Sequence, residues 1–166
     1  MKNTAQTLFA VFVAVLALVG AARPGPYEDA FAAYDRGDYA TAIPIYRTLA
    51  DQGDPYAQRA LGIMYDMGQG VPQDYVEAMK WYRRAADQGD ALAQNNLGLL
   101  HLNGEGVLRS YIQAHMWLSL AAANALDDDG RDLAVRNREL VASKMTPAEI
   151  AEAQKLADQW RRKSER

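Results

Sequence analysis

Gly68-Gln69-Gly70-Val71-Pro72-Gln73-Asp74-Tyr75, continuing through Ala78, Trp81-Tyr82 and Ala85-Ala86 to Asp87-Gln88-Gly89-Asp90-Ala91, decides how this 166-residue chain folds. The stretch recurs. Gly62, Gly68, Gly70, Val71, Tyr75, Ala78, Trp81, Ala85 and Ala86 return thirty-six residues later as Gly98, Gly104, Gly106, Val107, Tyr111, Ala114, Trp117, Ala121 and Ala122. In the other direction, Tyr39, Ala42, Tyr46 and Ala50-Asp51-Gln52-Gly53-Asp54 foreshadow Tyr75, Ala78, Tyr82 and Ala86-Asp87-Gln88-Gly89-Asp90 at the same offset. A fixed period of this length is the mark of a helical repeat array, whose units bury their apolar faces only against one another.

Each unit reads as two helices. In the second, Tyr75, Ala78, Met79, Tyr82, Ala85 and Ala86 form one helical stripe, while Glu77, Lys80, Arg83, Arg84 and Asp87 occupy the other face as a solvated surface. Arg83 and Asp87 are spaced for an i,i+4 ion pair. Asp38, Asp74 and Ser110 stand at equivalent places where the second helix begins, and each can cap it. Asp74 with Glu77, and Ser110 with Gln113, have the spacing of reciprocal capping boxes. Gly53 and Gly89 stop the helix in a left-handed turn, after which Asp54 and Asp90 cap the next one, with Pro55 in its first turn. Gly62 and Gly98 fall inside the first helix, where Gly costs about 1 kcal/mol against Ala, so a neighbouring side chain is expected to need that space. His101 stands where the preceding copy has Tyr65, and reads as a packed substitute.

The ordered run of loop glycines, Tyr75, Ala78, Trp81-Tyr82, Ala85-Ala86 and Gly89-Asp90-Ala91 resembles Sel1-like repeats, longer-looped relatives of tetratricopeptide repeats. The resemblance covers Ala57 to about Ala125 as two copies; Tyr34 to Gly53 has the shorter Gly37-Asp38-Tyr39 turn, similar to the tetratricopeptide form. It implies an all-α fold, a short right-handed α-solenoid with C-terminal capping helices. The expected segments are a signal peptide over 1–22, a tetratricopeptide-like repeat over 23–56, Sel1-like repeats over 57–92 and 93–128, and a helical cap over 129–166. Within the cap, one helix is expected from Arg131 to Lys144 with Leu133, Leu140 and Val141 on one side. Thr146-Pro147-Ala148-Glu149 forms a capping box that opens a final helix carrying Ile150, Ala153, Ala157 and Trp160 on one face.

The leader reading rests on Lys2, the unbroken apolar run Leu8–Val19 and the small residues Gly20, Ala21 and Ala22, an arrangement typical of cleaved secretory signals. The apolar run is shorter than the roughly 20 residues of a membrane span, so no stable membrane insertion is expected after cleavage. The expected location is exported, periplasmic or secreted. The chain has no Cys, which excludes disulfides, thiolate metal sites, Cys nucleophiles and a lipidated N-terminal Cys. Losing Lys2 takes the formal charge of −3 to about −4, a poor match for nucleic acid.

Catalytic and cofactor motifs are missing from the sequence. His101 and His115 have no metal-ligand spacing, the Gly-x-Gly loops lack the Lys-Ser/Thr of a phosphate loop, and no serine nucleophile motif occurs. Asp127-Asp128-Asp129-Gly130 lacks the alternation of a calcium loop and reads as a helix cap, and Arg161-Arg162-Lys163 as a solvated last turn. No cofactor or metal is therefore expected. The leading expectation is a non-catalytic scaffold that binds a protein or peptide along the groove of the first helices. By analogy with tetratricopeptide grooves, the resemblance points to Glu28, Asp35, Arg59, Ile63, Asp66, Asn95, Leu99 and Asn103, with Arg59 and Asn95 foremost. The alternatives are a cell-wall-active enzyme using Asp35 and Asp66 as acid and base, and a membrane-tethered envelope assembly factor.

Overall fold

The computed structural model describes residues 25–164; the expected leader, residues 1–22, lies outside them. Eight helices and no strands occur among the described residues: α1 (Pro26–Asp35), α2 (Tyr39–Asp51), α3 (Pro55–Met67), α4 (Tyr75–Asp87), α5 (Ala91–Asn103), α6 (Tyr111–Asn124), α7 (Asp128–Ala142) and α8 (Pro147–Ser164). Helices α1 with α2, α3 with α4 and α5 with α6 form consecutive helix-turn-helix units, and each unit packs on the next.

The expected punctuation is in place. Asp38 accepts from the Thr41 amide, Asp74 from those of Val76 and Glu77, and Ser110 from that of Gln113. Gly53 and Gly89 take φ of 98° and 89°, the left-handed region where a Cβ is penalised. The two internal capping boxes are half-formed, contrary to the spacing. The backbone N–H of Asp74 donates to the Tyr65 carbonyl and that of Ser110 to the His101 carbonyl, each at 2.9 Å, so Glu77 and Gln113 have no amide left to receive. These two bonds close the repeat loops onto the first helix in the same manner. The Thr146 box is fully reciprocal: the Thr146 amide donates to Glu149 Oε2 at 2.7 Å and the Glu149 amide to Thr146 Oγ1 at 3.3 Å.

Small residues set the packing distance. A Cβ on Gly62 would come within 2.4 Å of the Tyr82 ring, and one on Gly98 within 2.6 Å of Leu118, so the expected neighbour is the second helix of the same unit. The largest core cluster joins Ala78, Tyr82, Ala85 and Ala86 of α4 to Leu97 and Leu100 of α5 and to Trp117 and Leu120 of α6. Between units, two buried glutamines act alike. Gln58 Nε2 donates to the Ala50 carbonyl and Gln94 Nε2 to the Ala86 carbonyl, both at 3.0 Å. Gln88 then donates to Gln58 Oε1 and Asn124 to Gln94 Oε1, so each glutamine ties the preceding unit to the end of its own.

The cap differs in detail from the expectation. Helix α7 begins at Asp128, three residues early, because Asp127 Oδ1 accepts from the Gly130 amide and caps it. Its buried side is Ala134 and Val141; Leu133 and Leu140 face outward, since α7 lies on α6 through small residues and turns its leucines away. Helix α8 packs on α6 rather than on α7, with Ala153 and Ala157 buried. Trp160 meets Trp117 edge to face, 6.0 Å between ring centroids.

Candidate partner-binding surface

The first turns of α3, α5 and α7 lie side by side along one edge of the array. Between them opens a cavity of about 490 Å³, lined by Tyr56 and Arg59 of α3, Leu92 of α5, Leu133 of α7 and the connections Gln88–Ala91 and Asn124–Asp127. Its apolar lining is exposed: Tyr56 48%, Leu92 43%, Leu133 38% and Leu126 92%. Tyr27 extends the row, its ring 6.2 Å from that of Tyr56. Apolar side chains grouped around a concavity make it the candidate interaction site, whereas the same residues scattered singly would mean little.

Local sequence explains the row. Tyr56 and Leu92 each stand two residues after a capping aspartate, Asp54 and Asp90, at equivalent positions of successive repeats. Asp90 does two things: Oδ1 accepts from the Ala93 amide at 2.8 Å and Oδ2 receives Arg59 Nη1 at 2.6 Å. The Arg59 guanidinium also lies 5.4 Å from the Tyr56 ring centroid, which holds that ring at the cavity wall. The acid side of the rim is Asp127 and Asp129, both exposed and neither in an ion pair among the described residues.

Of the residues that sequence points to, Arg59 alone lines this cavity. Glu28 and Asp35 are exposed on α1, and Asn103 is exposed at the end of α5, donating to Glu105 at 3.1 Å. Ile63 and Leu99 are half-buried, with Ile63 against the largest core cluster. Asn95 is only 4% exposed; its Oδ1 accepts from Asn137 Nδ2 of α7 at 2.9 Å, so the cap helix covers it. Asp66 is half-buried and accepts from the Tyr82 hydroxyl at 3.0 Å. Burial pushes its carboxyl above the ordinary range against the pull of that hydrogen bond, and the acid whose charge adds to the rise is Glu105, not Asp35.

Tyr56, Leu92 and Leu126 escaped the sequence reading, as did Gln58 and Gln94, and Leu133 is expected there only on the apolar side of the cap helix. A signal existed for four of them. Tyr56 and Leu92 are apolar at equivalent first-turn positions, and Gln58 and Gln94 are polar at equivalent positions among alanines. No cluster of three or more His, Cys, Asp or Glu side chains suited to a metal ion occurs among the described residues, and no helix there is long and apolar enough to cross a membrane.

A stack of helix-turn-helix units with an open edge defines a helical-repeat protein. The family model described as Sel1 repeat matches residues 55–90 and 91–126, so these two segments are Sel1 repeats. The structure of the chain is similar to the crystal structure of a protective antigen present in uropathogenic Escherichia coli strains and displaying an SLR fold. That match has 31% identity and a TM-score of 0.73, and covers 87% of this chain and 30% of the other. A Sel1 repeat protein from Oxalobacter formigenes is similar at 34% identity and a TM-score of 0.57, over 61% of this chain and 40% of that one. The chain thus spans well under half the length of both. No curated protein matches it. Sel1-repeat proteins generally serve as protein-interaction scaffolds.

Proposed function

We propose that the protein is an exported, non-catalytic scaffold of the cell envelope, periplasmic or secreted, that holds a protein partner at the edge formed by the first turns of α3, α5 and α7. The observation that carries this reading is the exposed apolar row Tyr56, Leu92, Leu126 and Leu133 around a cavity built from three successive first helices. Folding leaves Leu126 almost wholly in water and Tyr56, Leu92 and Leu133 part-exposed, although taking a fully exposed leucine side chain out of water is worth about 1.5–3 kcal/mol. Export is supported by Lys2, Leu8–Val19 and Gly20-Ala21-Ala22. The non-catalytic part is supported by the state of the suggested carboxylate pair: Asp66 is held by Tyr82, and Asp35 is exposed on α1.

The test is affinity capture from an envelope extract, comparing the mature wild-type protein with a folded Tyr56→Glu, Leu92→Glu variant. A partner retained by the wild type and lost by the variant supports the reading; equal capture by both overturns the site. Intact mass of the protein recovered from the envelope checks export, with a chain beginning near Ala22 or Arg23 expected. Turnover of purified peptidoglycan that disappears in Asp66→Asn would overturn the non-catalytic assignment.

A further inference from the structure

We infer that the cavity between the first turns of α3, α5 and α7 receives an apolar side chain from a partner segment in which that residue is flanked by lysine or arginine. The inference rests on the scaffold reading above and adds the chemistry of the partner.

Three features of the cavity select this occupant. Its wall offers hydrocarbon from Tyr56, Leu92, Leu126 and Leu133, in a space of about 490 Å³, within the range of pockets that hold compact ligands. Its side-chain amides are engaged inside the protein: Gln88 Nε2 donates to Gln58 and Asn124 Nδ2 to Gln94, while the Asp90 carboxylate accepts from the Ala93 amide and from Arg59. The polar groups left at the rim, Asp127 and Asp129, are anionic and repel the phosphates of a nucleotide, whereas an apolar side chain requires no polar partner from the wall.

The third feature is charge. The one cation on the lining, Arg59, is neutralised by Asp90 at 2.6 Å. Asp127 and Asp129 remain at the rim without a counter-cation among the described residues, and Asp128 beside them is matched only by its own Arg131. First-turn carboxylates favour the dipole of α7, so their placement is also good helix design; the positive ends of α3, α5 and α7, about half an elementary charge each, offset part of the rim's charge, and the two full charges of Asp127 and Asp129 exceed them. A segment bearing Lys or Arg beside its apolar residue meets opposite charge on arrival, and a segment bearing Asp or Glu meets like charge.

The experiment is fluorescence-anisotropy titration of the mature protein with three labelled peptides: Gly-Lys-Leu-Lys-Phe-Lys-Gly, a counterpart with Glu in place of Lys, and a counterpart with Ala in place of Leu and Phe. The basic apolar peptide is expected to bind at least ten-fold more tightly than either counterpart, and more weakly as salt is raised. Leu92→Gln is expected to weaken it at least ten-fold, and Asp129→Lys to erase or reverse the preference for the basic peptide. Both substitutions fall on exposed side chains, and circular dichroism verifies the fold. Equal or tighter binding of the acidic peptide overturns the inference, as does binding indifferent to Leu92→Gln. Concentration-dependent self-association abolished by Leu92→Gln would overturn it by making a second copy the occupant; vesicle binding abolished by the same change would overturn it by assigning the cavity to lipid. If none of the peptides binds while envelope capture still depends on Tyr56 and Leu92, the chemistry proposed here fails and the scaffold reading stands.

Discussion

At the scale of single residues, the repeat supplies its own controls. Tyr65 receives Arg47 Nη2 on its hydroxyl at 3.1 Å; one repeat later His101 takes that place and Arg83 that of Arg47. The His101 Nδ1 is buried without a partner, and burial, aided by Arg83, lowers the pKa of the ring. His101→Tyr should supply an oxygen for Arg83 and remove the orphaned nitrogen, raising stability by about 1 kcal/mol in urea denaturation. His115, which replaces Met79 of the preceding copy, is also depressed by burial and by Arg138. Both folded-state values lie below the ordinary value of about 6.5, so the stability these rings contribute is present above that pH and is lost as pH falls through the folded values. The Tm of the wild type should therefore fall between pH 7.5 and 5.5, and a His101→Tyr, His115→Met protein should show a flatter profile; an unchanged slope would assign the effect to other groups. Gln94 is the opposite case, a polar residue that the core needs. Gln94→Ala leaves the Asn124 amide without its partner and removes one of the donors to the Ala86 carbonyl, which keeps the Gly89 N–H, and should cost about 1–2 kcal/mol, read as a lower denaturation midpoint.

At the scale of elements, the helices were legible because their signals are local. Capping residues, left-handed glycines and the 3.6-residue stripe all act within one turn, and the period multiplied each observation. What escaped depends on contacts distant in sequence. The Asp74 and Ser110 amides are captured by carbonyls nine residues away, which disables the expected capping boxes. The leucines of α7 face outward because Ala134 and Val141 suit the close approach to α6. The edge proposed above departs from the expected groove for the same reason: Asn95 has the spacing of a groove residue, yet α7 covers it. One local signal conflicts with its element. Pro44 lies inside α2, exposed, at the position held by Lys80 and Met116 in the following copies, and it cannot donate to the Ala40 carbonyl one turn earlier. Pro44→Lys should restore that hydrogen bond and stabilise the protein by about 1–3 kcal/mol. Calorimetry checks it; an unchanged or lower Tm would mean that the proline ring contributes packing that offsets its helix penalty.

At the scale of the molecule, stability passes from neighbour to neighbour, so the ends of a short array matter more than their size suggests. The chain ends its stack in two ways at once. Helix α7 occupies the place of another first helix and ties into α5 through Asn137 and Asn95, while α8 lies across α6 and sets Trp160 against Trp117. Because Trp117 belongs to the same cluster as Tyr82 and Leu97, α8 is coupled to the centre of the array. Trp160→Ala should therefore destabilise more than α8. The expected loss is about 2 kcal/mol, below the usual 3–5 for a core aromatic because Trp160 is half-buried. Emission from Trp117 should shift to the red, and α8 should gain amide exchange ahead of the rest. If α8 were an independent appendage, its amides alone would exchange faster, and the urea midpoint of the array, followed by circular dichroism, would stay where it is in the wild type. A joint shift of both, with single-step unfolding preserved, would establish that the cap and the repeats fold as one unit and that the edge presented to a partner owes its rigidity to the far end of the chain.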